Sequence, residues 1–235
     1  MTRWSARRLT TAAVGAAWAG AFWYVILSGR VTLYLSPRTT WLAPLGAVLI
    51  TLAVLGYLRT VRVNEPEPLT ARHAGGILLL LVPILVLASM PALALGSFAT
   101  SRRASFVGAG VVATDASDLS SGDLSLLDIA GALASEEGRR ALRERAGTES
   151  SFVGFVDRSS SSPADEFLLS RFVVSCCAAD ALAAQVRVVN APPGRFKVDE
   201  WVRVTGDMYP LGEAVILDAA EIVRVPRPKH PYLSP

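Results

Sequence analysis

Cys176 and Cys177 are the only two cysteines among 235 residues; they stand side by side in the stretch RFVVSCCAAD, and Asp180 follows at its end. Three chemistries compete for such a pair. A disulfide between neighbours is strained, because consecutive Cα atoms lie about 3.8 Å apart where ordinary disulfides span roughly 4.4 to 6.8 Å. A bond formed there is easily reduced and acts as a redox switch, not as a staple. Capture of a soft metal is the second chemistry. A structural zinc site takes four ligands, and the local sequence offers Cys176, Cys177 and Asp180, with His230 far along the chain and His73 in the other half. Copper(I)-like ions and thiophilic metalloids accept fewer ligands and suit two thiolates. In the third reading the cysteines are small apolar residues filling the end of a strand. Asp180 serves equally well as a turn cap or as a ligand.

The chain that must position these residues has two unlike halves. Through Arg103 there are ten arginines against two glutamates, and beyond it 13 basic against 18 acidic residues, so the overall net charge of +3 averages opposite signs. The basic pI is therefore no nucleic-acid signature. Three uncharged apolar runs, 11–28, 41–58 and 76–96, are each long enough to cross a hydrocarbon core of about 30 Å and predict three N-terminal transmembrane helices. A cleaved signal peptide is the alternative for the first run, but two further runs follow and no A-x-A pattern closes it.

Arginine bias sets the orientation. Arg3, Arg7, Arg8, Arg59, Arg62 and Arg72 lie on one side of the predicted spans, against Arg30, Arg38, Arg102 and Arg103 on the other, which puts the N-terminus in the cytoplasm and the C-terminal half outside it. The expected location is the cytoplasmic (inner) membrane. No ionisable residue lies within the three runs, so they lack the groups that mark ion or proton pathways and read as an anchor and docking surface. Pro83 and Pro91 interrupt the third run and free backbone carbonyls that call for a partner.

The second half begins with a small, polar linker and a helical stretch, together 104–147. Ser125 with Asp128 forms a capping-box pattern, and Glu136 and Glu137 precede Arg139, Arg140 and Arg143 in the order that suits a helix dipole. From 148 to 235 five β-rich runs separated by turn residues predict a small antiparallel barrel with an OB-like fold. The domain division is thus 1–103, 104–147 and 148–235, a membrane-anchored α + β chain. OB folds often bind single-stranded nucleic acid, but this half is net acidic and lies outside the cytoplasm, so no nucleic-acid partner is expected. No nucleophile–base set, phosphate loop or paired carboxylates appear, which leaves thiol redox as the only enzymatic candidate.

SGRVTLYLSPR after the first run, FVGFVDR, LLSRFVVSCCAADA, WVRVTGDM and the closing PKHPYL together resemble the YcgQ-like family of permease subunits. The resemblance extends over essentially the whole chain. It implies pairing with a multi-spanning permease of the YraQ type, related to exporters of organic arsenicals, and a link to metal homeostasis. The expected function is an accessory subunit whose extracytoplasmic domain handles a thiophilic metal ion (zinc or copper) or a metalloid through Cys176, Cys177 and Asp180, with membrane lipid and the permease as partners. A membrane-tethered redox protein and a purely structural partner are the alternatives.

Overall fold

Ala and Leu favour helix, and few polar side chains here compete for the backbone, so the described N-terminal half is largely helical. The computed structural model describes residues 3–63, 70–89, 94–102, 124–159 and 161–235. They divide into a helical unit, Met1–Val31 with Thr39–Ala92, and a barrel unit, Thr32–Arg38 with Leu93–Pro235.

The helical unit contains α1 (Ala6–Leu27), α2 (Leu42–Leu58) and α3 (Ala71–Ser89). Of these, α1 and α3 are long and apolar enough to cross a membrane, whereas α2 has 17 residues. Both longer helices start about five residues before the predicted spans and so take up Arg7, Arg8, Arg72 and His73. Of the third predicted span, residues 90–93, with Pro91, lie outside the described residues; α3 ends at Ser89, and 94–96 belong to the barrel unit, where Gly96 is the N-cap of the next helix. A two-residue pair joins β1 (Arg3–Trp4) to β2 (Arg62–Val63), bringing the N-terminus and the end of the α2 connection together.

Small residues make the seam between α1 and α2: Ala12, Ala19, Ala43 and Ala47 are buried, and a Cβ on Gly15 would stand 2.7 Å from Val54 Cγ2. Small side chains let the two helix backbones approach closely, so that van der Waals contact runs along the seam. Phe22 and Trp23 of α1 also reach α2, at Gly46 and at the Thr51 hydroxyl. Leu49, Leu52 and Leu55 of α2 and Leu78, Leu79 and Leu85 of α3 are exposed, and α3 buries no residue at all.

Pro83 lies inside α3, where it removes the N–H that would serve the Leu79 carbonyl. The adjacent carbonyl, that of Leu80, accepts the Trp18 indole N–H at 3.2 Å, a contact from α1 beside the break.

In the barrel unit a short α4 (Ser97–Thr100) precedes α5 (Leu126–Leu133) and α6 (Glu136–Glu144), followed by β3 (Thr148–Asp157), β4 (Phe167–Val173), β5 (Leu182–Val189), β6 (Trp201–Leu211) and β7 (Ala214–Arg224). The five long strands close in the order β3-β4-β5-β7-β6, with β6 returning to β3. All pairings are antiparallel except that of β5 with β7, through Arg187–Ile216 to Val189–Asp218. Alternation fixes the register: Val202, Val204 and Met208 of β6 are buried while Arg203 and Asp207 point outward. A bulge at Thr205/Gly206 brings β6 so close to β7 that a Cβ on Gly206 would stand 1.9 Å from the Asp218 carbonyl oxygen.

Two clusters fill the unit. The larger joins Phe152, Phe167, Val186, Val204 and Leu217 of the barrel to Leu126, Ile129, Leu133 and Leu142 of α5 and α6, so these two helices share the barrel's core. Local signals set the helices in place: Ser125 and Asp128 form the reciprocal capping box, and the Ser135 hydroxyl accepts the Gly138 N–H. The arginines of α6 lie on a solvated face, where Arg139 and Arg143 pair with Glu136. The smaller cluster, Phe155, Phe172, Val174, Ala181, Ala183 and Tyr232, packs with Leu95, Ala99 and Trp201. It underlies the loop that carries the cysteines.

Candidate functional site

The apolar run FLLSRFVVSCC reads as one long strand, but β4 stops at Val173 and both cysteines lie beyond it, in the connection to β5. Three long-range bonds divert the chain. Val174 donates to the Leu233 carbonyl at 2.8 Å, Ser36 donates to the Cys176 carbonyl at 3.2 Å, and Ala178 donates to the Tyr34 carbonyl at 2.8 Å. Leu35 and Cys177 thereby form an antiparallel bridge. The cysteine pair is one side of a miniature two-strand ladder, not the tip of a barrel strand.

Asp180 fixes the loop from within. Its Oδ1 accepts the Ser175 N–H at 3.0 Å, and its Oδ2 accepts the N–H groups of Cys176 at 2.7 Å and Cys177 at 3.2 Å. The backbone N–H of Asp180 returns a bond to the Cys177 carbonyl at 3.0 Å across the one-turn 3-10 helix Ala178–Asp180. Asp180 therefore caps the turn and also stands beside both thiols.

The structure brings together all three residues singled out from the sequence: one sulfur from each of Cys176 and Cys177 and one carboxylate oxygen of Asp180 lie within 4.8 Å of one another. Cys176 is exposed, Cys177 is half-buried, and neither is in a disulfide. The Asp180 carboxylate, by accepting a hydrogen bond from the thiol, pushes the Cys176 pKa up to about 11, with the Cys177 side chain adding to the effect. For Asp180 partial burial pulls upward, but the Cys176 thiol and the three backbone donors outweigh it and hold the carboxyl below its ordinary value. Two sulfurs and a carboxylate this close repel one another once ionised, so the cluster keeps a proton unless a cation replaces it. Two soft sulfurs with one oxygen suit a thiophilic ion, and a tetrahedral metal would retain an open position for a further ligand.

Other residues brace the site. Arg171 donates to the carbonyls of Pro231 at 3.0 Å and His230 at 2.9 Å, where a neighbouring carboxylate is the partner its sequence setting suggests; its guanidinium lies 5.9 Å from the Trp201 ring centre. Trp201 packs edge-on against Phe155 and belongs to the smaller cluster's rim. Tyr232 is the residue that sequence reasoning missed. Its buried hydroxyl donates to the Leu33 carbonyl at 3.0 Å and accepts the Leu95 N–H at 3.1 Å, tying the C-terminal tail to two distant segments. Only the joint presence of LYLSPR, SCC and HPYL in one sequence pattern hinted at this convergence.

Residues 136–235 match the DUF1980 C-terminal domain. It is an uncharacterised family. The match starts at the first residue of α6 and runs through all five barrel strands, so the DUF1980 domain holds Cys176, Cys177, Asp180 and Tyr232, while the Leu33–Ser36 side of the ladder lies outside it. No curated protein matches the chain.

Proposed function

We propose that this chain is the accessory subunit of a two-component membrane permease of the YcgQ-like kind, and that its barrel unit receives or delivers a thiophilic metal or metalloid at Cys176 and Cys177. The observation that carries the reading is the gathering of two sulfurs and a carboxylate oxygen within 4.8 Å on a loop braced from both sides. Asp180 holds the loop and supplies the third donor.

The rest of the reading follows from the fold and the charge pattern. The strand order, with β5 and β7 parallel in an otherwise antiparallel closed barrel, supports an OB-like fold. Three crossings need α2 to span as well, and 17 apolar residues are at the lower end of what suffices. The outward leucines of α2 and α3 fit contact with lipid and with a multi-spanning permease of the YraQ type. With the N-terminus in the cytoplasm, the cysteines face the outer side.

The test is complementation of cells lacking the chain, with cellular copper, zinc and arsenic measured by elemental mass spectrometry. The Cys176→Ser, Cys177→Ser variant should reach wild-type abundance in membranes and leave metal content at the level of the deletion. Full restoration by that variant would contradict the proposal and favour a purely structural partner.

A further inference from the structure

A cleft of about 500 Å³ between α1 and α3 has a chemistry that the cysteine site does not use. Its lining changes along the helices. At one end stand Arg7 and Thr11 of α1 with Arg72 and His73 of α3; at the other, Gly76, Ile77 and Leu80. From Arg72 to Leu80 is about 12 Å of helix. The polar end is bridged by Thr11 Oγ1 and His73 Nε2 at 3.3 Å, and the apolar end is closed where Trp18 donates to the Leu80 carbonyl. Between them the wall is open, since a Cβ on Gly76 would meet no atom within 4 Å.

The charge at this end is one-sided. The first turns of α1 and α3 contain no acidic residue. The N-terminal stretch and the α2–α3 connection, held together by the β1–β2 pair, carry six arginines against Glu65 and Glu67. A cationic, hydroxyl-bearing mouth leading into an apolar floor is complementary to an anionic headgroup with the start of its acyl chain. Free anions have no use for the floor, and neutral lipids have none for the arginines.

We propose that this cleft binds an anionic phospholipid, with the phosphate at Arg7 and Arg72 and the proximal acyl chain along Ile77 and Leu80. The inference rests on the reading of α1 and α3 as membrane-crossing helices. Bound lipid would fill the gap between two helices tied by the Thr11–His73 and Trp18–Leu80 contacts, and so set their spacing.

The test is native mass spectrometry of the full chain in detergent with equimolar phosphatidylglycerol and phosphatidylcholine. A preference for phosphatidylglycerol of about tenfold is expected, falling to parity in Arg7→Gln, Arg72→Gln. Gly76→Leu should abolish the preference with every charge in place, while Gly75→Leu, outside the lining, should preserve it. Inorganic phosphate in excess should leave the adduct intact; displacement would reveal an anion site and overturn the lipid assignment. Carbonate washing of membranes separates the two levels. Retention of the chain without lipid preference would defeat the cleft proposal alone, and release of the chain would defeat the membrane reading with it.

Discussion

Asp180 grips Cys176 at two points: its Oδ2 accepts the residue's backbone N–H at 2.7 Å, and its carboxylate also receives the thiol hydrogen. One side chain thus shapes the loop and keeps the neighbouring sulfur protonated. Arrival of a thiophilic cation would exchange that proton for the metal, so binding releases acid and weakens as pH falls.

With its pKa pushed up to about 11, Cys176 is about one-thousandth thiolate at pH 8, against about one-tenth for a thiol at the ordinary value of 9.0. Alkylation followed by tandem mass spectrometry, which resolves adjacent residues, should show Cys176 rates climbing about tenfold per pH unit well beyond pH 9. Asp180→Asn removes the main cause and should move the midpoint down. The sign for stability is equally defined: the fold favours the protonated thiol, so this contribution is complete below pH 9 and fades as pH rises toward 11.

Acid should loosen the same loop through Asp180. Its folded pKa lies below the ordinary 3.8, so the contribution is full above that value and is lost as pH falls through the folded pKa. Hydrogen exchange at the amides of Ser175, Cys176 and Cys177 should rise in Asp180→Ala at neutral pH, as all three donors lose their acceptor. Unchanged protection would mean that the ladder to Tyr34 and Ser36 suffices alone.

Tyr232→Phe keeps the ring in the smaller cluster and deletes the hydroxyl, leaving the Leu33 carbonyl and the Leu95 N–H without it. Stranding buried polar groups costs about 1–3 kcal/mol, which denaturant unfolding of the full chain would register. The cysteine loop should become more reactive toward thiol reagents in the same variant, because the tail segment that also holds Val174 is released.

Gly206→Ala tests the barrel itself. A methyl group placed 1.9 Å from the Asp218 carbonyl oxygen forces β6 and β7 apart, at a cost of about 3 kcal/mol or more. Loss of cooperative unfolding is the expected readout, whereas Gly212→Ala, which meets no atom within 4 Å but adopts a positive φ, should cost less.

What the sequence reveals follows from the range of the forces involved. Strand alternation and the Ser125–Asp128 box act between neighbours, so the five strands and the helix start are readable from the residues. The end of β4 is not. Val174, Ser175 and both cysteines continue an apolar, strand-like pattern, and the partners that pull them out of the sheet are Ser36 and Leu233, remote in sequence. The same limit hid Tyr232, whose role depends on a carbonyl 199 positions away. Arg171 looked like half of an ion pair because composition cannot register backbone carbonyls. The helical spans were recognisable by length, yet α1 and α3 reach into their basic flanks, since arginine is a good helix former and extends a helix at little cost.

If Cys176 and Cys177 bind a thiophilic metal together, loss of both thiols must release it. Titration of the reduced full chain with copper(I) against a chromogenic chelator tests this most directly. One copper per chain is expected, with at least about 100-fold weaker binding in Cys176→Ser, Cys177→Ser and each single variant intermediate. Equal copper retention by wild type and the double variant, or none by either, would contradict binding by the pair.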